Sequence, residues 1–280
     1  MPVPTTGKVR FALNHMAAPQ LPLAGFFALA RRLGITDVEI RNDIAGQAIL
    51  DSTPAVAVRA AAKDAGVNII TINALQRFND WSPVRADEAK VLADYASECG
   101  AAALILVPTN DGSGREDGVR QANLWRALQG LQPILEAAGV TGLVEPLGFG
   151  VCSLSSKREA AEAIVAVGGQ KTFRITHDTF HHHLAGEPDI FPELTGLVHI
   201  SGVEDKSLAI ADMRDKHRVL VGPADRLGNV GQLRALFAAG YVGPVSFEPF
   251  AEELRHLADP AKAIGASMDF IRGEVRSEAA

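Results

Sequence analysis

The sequence predicts one (β/α)8 barrel, a single α/β domain over residues 1–280. Three observations lead there. Strand-like and helix-like periodicities alternate from end to end in eight units of about 35 residues, the scale of one βα repeat of such a barrel. No Pro/Gly/Ser-rich linker divides the 280 residues, and barrels routinely use about 250 as one unit. A doubly wound open sheet also alternates strand and helix, but the GxGxxG turn expected after its first strand is missing.

Each element follows from period and punctuation. VRFALN (Val9 to Asn14) reads as the first strand, and the apolar-faced stretch Leu21 to Gly34 as a helix closed by Gly34. DVEIR (Asp37 to Arg41) is the second strand; the helix from Thr53 to Gly66 takes Ser52 or Thr53 as its cap. VNIITINAL (Val67 to Leu75) is the third strand, and a helix from Arg85 to Gly100 leads into AALILVP (Ala102 to Pro108), the fourth. A long helix from Asp117 to Ala138 precedes TGLVEP (Thr141 to Pro146), the fifth. Ser155 or Ser156 caps the helix that runs to Val167, and FRITHD (Phe173 to Asp178) is the sixth strand. A short helix near Pro188 to Leu194 is expected before GLVHIS (Gly196 to Ser201), the seventh strand. Asn229 to Gly240 is helical, PVSFEPF (Pro244 to Phe250) is the eighth strand, and Pro260 to Arg272 is the closing helix.

Composition narrows the function. With 47% hydrophobic residues the chain has ample surface to bury, which excludes a disordered protein. Its 27 basic and 33 acidic side chains leave a charge of −6 with no basic run, which argues against nucleic acid or an anionic membrane as partner. Small neutral or metal-bound ligands fit better. Cys99 and Cys152 are the only cysteines, so no disulfide framework exists and a reducing cytoplasm is the expected compartment. The opening MPVPTTGKVR lacks an apolar leader core, and no apolar run approaches the roughly 18 residues of a membrane span. Self-association into a homo-oligomer is left open.

Catalytic groups of a barrel project from the C-terminal ends of its strands. The last four strands each offer one polar residue there: Glu145, Asp178, His199 and Glu248. Strand side chains alternate faces, and apolar neighbours (Val144 and Pro146, Val198 and Ile200, Phe247 and Pro249) turn Glu145, His199 and Glu248 inward. His177 and Thr179 flank Asp178 less cleanly. Singly, each is as readily an ordinary buried ion pair. Together, three carboxylates and an imidazole form a ligand set for one divalent ion (Mn, Mg, Co or Zn), and such a cation is the simplest reason to gather them.

HDTFHHH (His177 to His183) holds four of the eight histidines. For His177 and His182 an incidental surface loop is the expected reading, whereas His181, three residues beyond Asp178, is the candidate substrate contact. Asn14, Glu39 and Asn73 end or punctuate the first three strands; each is either a barrel-layer polar residue held by a neighbour or a contact for a substrate hydroxyl. Phe78, Trp81 and Phe180 either wall a pocket or pack the core, and the charged NDGSGRED loop (Asn110 to Asp117) reads as solvated.

These residues resemble a known family. VEIR (Val38 to Arg41), INALQRFN (Ile72 to Asn79), VEPLG (Val144 to Gly148), HDTFHHHLAG (His177 to Gly186), HISGVED (His199 to Asp205), HRVLVG (His217 to Gly222) and VSFEPF (Val245 to Phe250) occur in the order found in xylose-isomerase-like barrels. That superfamily includes sugar isomerases, ketose 3-epimerases, hydroxypyruvate isomerases and endonuclease IV. Within it the chain most resembles the inosose (2-keto-myo-inositol) isomerases of inositol catabolism. The resemblance implies that Glu145, Asp178, His199 and Glu248 hold the metal, and it places His181 and Arg218 at the substrate. Two departures fall in the seventh unit: Gly202 stands where an aspartate is usual, and GPAD (Gly222 to Asp225) replaces a Pro-Gly-x-Gly turn.

The expected reaction moves a carbonyl to the adjacent carbon of a cyclic polyol ketone through an enediolate, with Glu145 and Glu248 transferring the carbon-bound protons. The alternatives are a ketose 3-epimerase or hydroxypyruvate isomerase on an open-chain substrate, an endonuclease-IV-like phosphodiesterase, and a non-catalytic polyol-binding barrel.

Overall fold

The structure is a computed structural model that describes residues 9–46, 49 and 51–277. Residues 1–8 of the opening stretch, read above for a leader, lie outside the described residues, as do residues 278–280. Strands β1 (Phe11–Asn14), β2 (Asp37–Arg41), β3 (Asn68–Gln76), β4 (Ala103–Val107), β5 (Thr141–Val144), β6 (Phe173–Asp178), β7 (Thr195–Ile200) and β8 (Val245–Phe247) close a barrel in sequence order. All pairings are parallel, and β8 returns to β1 with Phe11 opposite Val245. Helices α1 (Leu23–Arg32), α2 (Ala55–Ala65), α3 (Pro83–Cys99), α4 (Val119–Ala138), α5 (Lys157–Ala166), α6 (Thr179–Ala185), α7 (Asn229–Ala238) and α8 (Pro260–Ser277) alternate with the strands. Among the described residues no helix is long and apolar enough to cross a membrane.

Alternation along each strand sorts side chains into two layers. In β4, Leu104 and Leu106 join the large core shared with the helices, while Ala103, Ile105 and Val107 pack inside the barrel with Leu143 and Leu197. The same parity sends Val38 and Ile40 of β2, Val198 and Ile200 of β7, and Val245 and Phe247 of β8 to the helices. Their alternate neighbours face the barrel axis. A third cluster, Leu147, Phe149, Cys152, Phe180, Val203, Met213 and Leu227, covers the C-terminal mouth on the β5 to β7 side. Phe78 belongs to the core under the helices, and Trp81 packs against it, its indole filling the space where a Cβ on Gly130 would stand 2.3 Å away. Of the three aromatics flagged, only Phe180 lines the mouth.

Local chemistry moves several boundaries. β5 and β8 stop one residue short of Glu145 and Glu248, because Pro146 and Pro249 have no N–H to continue a ladder. Glu145 N still donates to Leu106 O at 3.1 Å, and Glu248 N to Ile200 O at 2.9 Å, which holds both residues in strand alignment. The second helix does not take a cap from Ser52 or Thr53. It starts at Ala55 behind the extended Pro54, and Asp51 Oδ1 captures the Thr53 N–H and hydroxyl instead. Ser156 does cap its helix, accepting from Glu159 N.

The sixth helix is a larger correction. No helix forms near Pro188 to Leu194; α6 instead follows β6 directly, capped by the Asp178 side chain and closed by Gly186 at φ 62°. Pro192 removes one N–H and disfavours helical geometry at Phe191, which sits at φ 44°.

Gly142 of β5 is required by close approach: a Cβ there would lie 2.7 Å from Phe173 Cδ1 and 2.9 Å from Leu135 Cδ1. Gly142→Ala is expected to lower unfolding free energy by about 1–3 kcal/mol through overpacking, read as a lower denaturation midpoint with unchanged slope.

Candidate metal centre

Closure of the barrel brings the four strand-end residues to one point. One ligand atom from each of Glu145, Asp178, His199 and Glu248 can be chosen so that all lie within 4.8 Å of one another, and all four residues are buried. His199 Nδ1 lies 2.7 Å from Glu145 Oε1, 3.2 Å from Glu248 Oε2 and 4.0 Å from Asp178 Oδ2. Its Nε2 lies 3.1 Å from Glu39 Oε2. Three carboxylates and an imidazole nitrogen suit a divalent cation of the Mn, Mg, Co or Zn class, so the residues present fit such an ion.

Electrostatics reflect this crowding. Burial alone would lower an imidazole pKa, but the charges of Glu248, Glu39 and Glu145 hold His199 well above its usual 6.5. Burial raises the Glu145 carboxyl, and the pull of His199 offsets only part of that. Burial acts on Glu248 in the same sense but is outweighed by His199, Arg218 and Arg41, which hold it well below the usual carboxylate range.

Arg218 and Arg41 clamp the cluster from two sides. Arg218 Nη2 donates to Asp178 Oδ2 at 2.5 Å and to Glu248 Oε2 at 3.1 Å, while its Nε donates to Ser201 Oγ at 2.9 Å. Arg41 Nη1 donates to Glu248 Oε1 at 2.8 Å, and its Nε and Nη2 form a fork onto Asp43. The Phe250 ring contacts both guanidinium groups, 4.7 Å from Arg218 and 5.4 Å from Arg41, and Phe180 lies 5.0 Å from Arg218. The sequence reading missed Arg41, although it shares the inward parity of Glu39.

The other expected contacts divide. Asp178 Oδ1 accepts from His181 N at 2.9 Å, so one carboxylate oxygen caps α6 while the other faces the cluster. The buried His181 ring packs edge-on against Phe149 and Phe180, and its Nδ1 has no hydrogen-bond partner among the described residues. Asn14 is engaged by the protein: its Nδ2 donates to Glu248 Oε1 at 3.3 Å, and its Oδ1 accepts from Met16 N and Arg41 Nη1. Glu39 and Asn73 bond to each other deeper in the barrel. Gly202 forms a tight bridge with Val219, donating at 2.7 Å and accepting at 2.8 Å, which seats Arg218 beside the cluster. In GPAD, Asp225 Oδ2 accepts from Asn229 N at 3.0 Å and holds the start of α7.

This barrel and cluster define a TIM-barrel protein with a buried His/carboxylate site. The chain belongs to the xylose isomerase-like TIM barrel family, whose model matches residues 27–274. It is similar to a xylose isomerase domain containing protein from Salmonella typhimurium LT2, with 34% identity, 97% of this chain and 99% of that one covered, and a TM-score of 0.88. Likeness of fold extends to the IolI protein with a binding zinc atom (21% identity, 96% and 98% covered, TM-score 0.83). It also extends to D-psicose 3-epimerase with D-tagatose from Clostridium cellulolyticum H10 (15% identity, 95% and 99% covered, TM-score 0.73). Among curated protein sequences none matches the chain.

His177 and His182 are not an incidental surface loop. His177 shares the parity of Phe173 and Ile175, faces the helix layer and is fully buried. Lys157 Nζ lies 3.0 Å from His177 Nδ1 and 2.5 Å from His182 Nδ1. Gln232 Nε2 donates to Thr179 O and Leu227 O, so its Oε1 accepts from His177 Nε2 at 2.9 Å and His177 Nδ1 accepts from Lys157. The start of α5 is held in turn by Glu187, which accepts from Ser156 Oγ, Lys157 N and Arg158 N. A lone lysine at a helix start carries no sequence signal of burial.

Burial pushes the Lys157 ammonium down from 10.5 to about 8. Between those values the unfolded lysine keeps a proton that the folded one has released, so this group makes stability rise with pH across that window. Denaturant melts should show this rise in the wild type relative to Lys157→Met; parallel pH courses would contradict it.

Proposed function

We propose that the chain is a divalent-metal-dependent isomerase that shifts a carbonyl to the adjacent carbon of an inosose. The observation that carries this reading is the convergence of Glu145, Asp178, His199 and Glu248 on one point, with the unpartnered His181 Nδ1 on the helix that Asp178 caps. A Mn, Mg, Co or Zn ion, when bound, would be held by those four residues and would supply a Lewis acid for the carbonyl oxygen and the charge developing on it.

The chain's own side chains move the protons. Glu145 and Glu248 approach from strands separated by β6 and β7 around the mouth, which suits delivery to and removal from neighbouring carbons. One glutamate takes the proton from the hydroxyl-bearing carbon, leaving an enediolate; the other, protonated at the outset, gives a proton to the former carbonyl carbon, while the hydroxyl proton passes to the former carbonyl oxygen, and the roles exchange when the reaction runs backwards. His181 Nδ1 orients an oxygen-bound proton of the substrate. The apolar cover of Phe149, Phe180, Val203 and Met213 limits water at this point.

Arg41 and Arg218 direct their donors to Asp43, Asp178, Glu248, Asp215 and Ser201, which favours an uncharged polyol over a carboxylated substrate such as hydroxypyruvate. His177 and His182 are engaged by Lys157, which argues against the extra ligands an endonuclease-like metal cluster needs. A ketose 3-epimerase would use the same proton transfer, and substrate choice separates it.

Purified protein assayed on a panel of inososes and free ketoses should turn over an inosose fastest, with solvent deuterium entering the carbon beside the carbonyl. Turnover without deuterium uptake would point to a hydride shift, and a preference for ketoses would support the epimerase. Glu145→Gln and Glu248→Gln should each lower kcat by at least about a hundredfold. Near-normal rates in either variant would remove that glutamate from proton transfer.

A further inference from the structure

Glu39 lies beneath the ion site rather than beside it, with no exposed surface. Groups from three strands converge on its carboxylate. Thr71 Oγ1 at 2.6 Å and Asn73 Nδ2 at 2.9 Å come from β3, and His199 Nε2 at 3.1 Å from β7, all to Oε2. Ser246 Oγ of β8 donates to Oε1. Asn73 Nδ2 also donates to Thr71 Oγ1 at 3.0 Å, which leaves the single Thr71 hydroxyl proton for Glu39. A carboxylate ringed by donors is in its acceptor-only, ionised form, so the imidazole nitrogen facing it carries the proton.

The consequence appears on the opposite side of the ring. When a metal ion displaces the Nδ1 proton, His199 keeps its other proton on Nε2, and the groups facing the bared Nδ1 are the oxygens of Glu145, Glu248 and Asp178. Acceptors on all sides of a lone pair repel one another unless a cation stands among them. We propose that Glu39 is a positioning residue: by holding the His199 proton on Nε2 it commits Nδ1 to the metal ion. Glu39 then serves the ion through His199 instead of binding a substrate hydroxyl, and Thr71, Asn73 and Ser246 keep it oriented. The inference rests on the metal-dependent reading of the site. Loss of a carboxylate behind a metal-binding histidine typically costs about 10–100-fold in metal affinity.

The test measures Zn2+ and Mn2+ affinity of the full chain by competition with a chelating dye, for wild type, Glu39→Gln and Glu39→Ala. It is paired with 15N spectra of the zinc-loaded, histidine-labelled proteins. Wild type should show His199 protonated on Nε2. Glu39→Gln keeps an oxygen that can accept from Nε2, so it should retain that tautomer and bind about tenfold more weakly. Glu39→Ala should lose about a hundredfold in affinity; if that variant fails to fold, the glutamine variant and the wild-type spectrum decide. Affinities within about twofold of wild type in a folded variant, or a wild-type His199 protonated on Nδ1, would overturn the proposal. Wild type that takes up neither ion would overturn both this inference and the metal-dependent reading. A wild type that binds zinc with the expected Glu39 dependence yet converts no inosose or ketose would remove the isomerase reading alone.

Discussion

Negative charge buried at the mouth of the barrel is the constraint around which the other groups are arranged. Glu39, Glu145, Asp178 and Glu248 are each at most 5% exposed, and ionised carboxylates in such surroundings are costly unless every one is paired. His199 answers all four from the centre, and Arg41 and Arg218 answer Glu248 and Asp178 from the sides. These cations then order the rim. Arg41 reaches out to Asp43 and Arg218 to Asp215, while the N–H groups of Phe250 and Ala251 both donate to Arg218 O. The loops after β2, β7 and β8 are therefore tied to the charges they contribute.

The barrel makes this concentration of charge affordable by separating it from the apolar layers. Period-two alternation sends one set of side chains to the helices and the other to the axis, so an acidic residue at a strand end does not interrupt the core beneath the helices. Below the cluster the axis is filled by Ala103, Ile105, Leu143 and Leu197, and above it Phe149 and Phe180 close the β5 and β6 side. Asp178 couples the layers, since the same carboxylate caps α6 and faces His199. A change at the cluster thereby reaches the helix that carries His181.

Much of this was legible along the chain because its physics is local. Strand parity with apolar flanks singled out Glu145, His199 and Glu248, and Gly66, Gly100 and Gly139 end their helices in the left-handed conformation. What escaped was long-range. Pro192 overruled a helix that looked plausible from composition, and α6 began instead on a carboxylate already marked for the metal. Lys157 and His177 are 20 positions apart in the chain, and nothing in either segment marks the contact. Arg41 had the right parity, but a strand-end arginine also fits an exposed rim.

By itself the sequence determined the class of fold, the order of strands and helices, and which side chains point toward the axis, because periodicity, glycine and proline act over a few residues. Only the tertiary structure decided which inward groups meet. Their separation depends on closure of β8 against β1 and on register shifts such as those at Val38/Glu39 and Ile175/Thr176. That geometry places Glu39 under His199 and Arg218 against Asp178, contacts spanning 160 and 40 residues of chain. No local pattern can specify such distances, since they belong to the closed barrel as a whole.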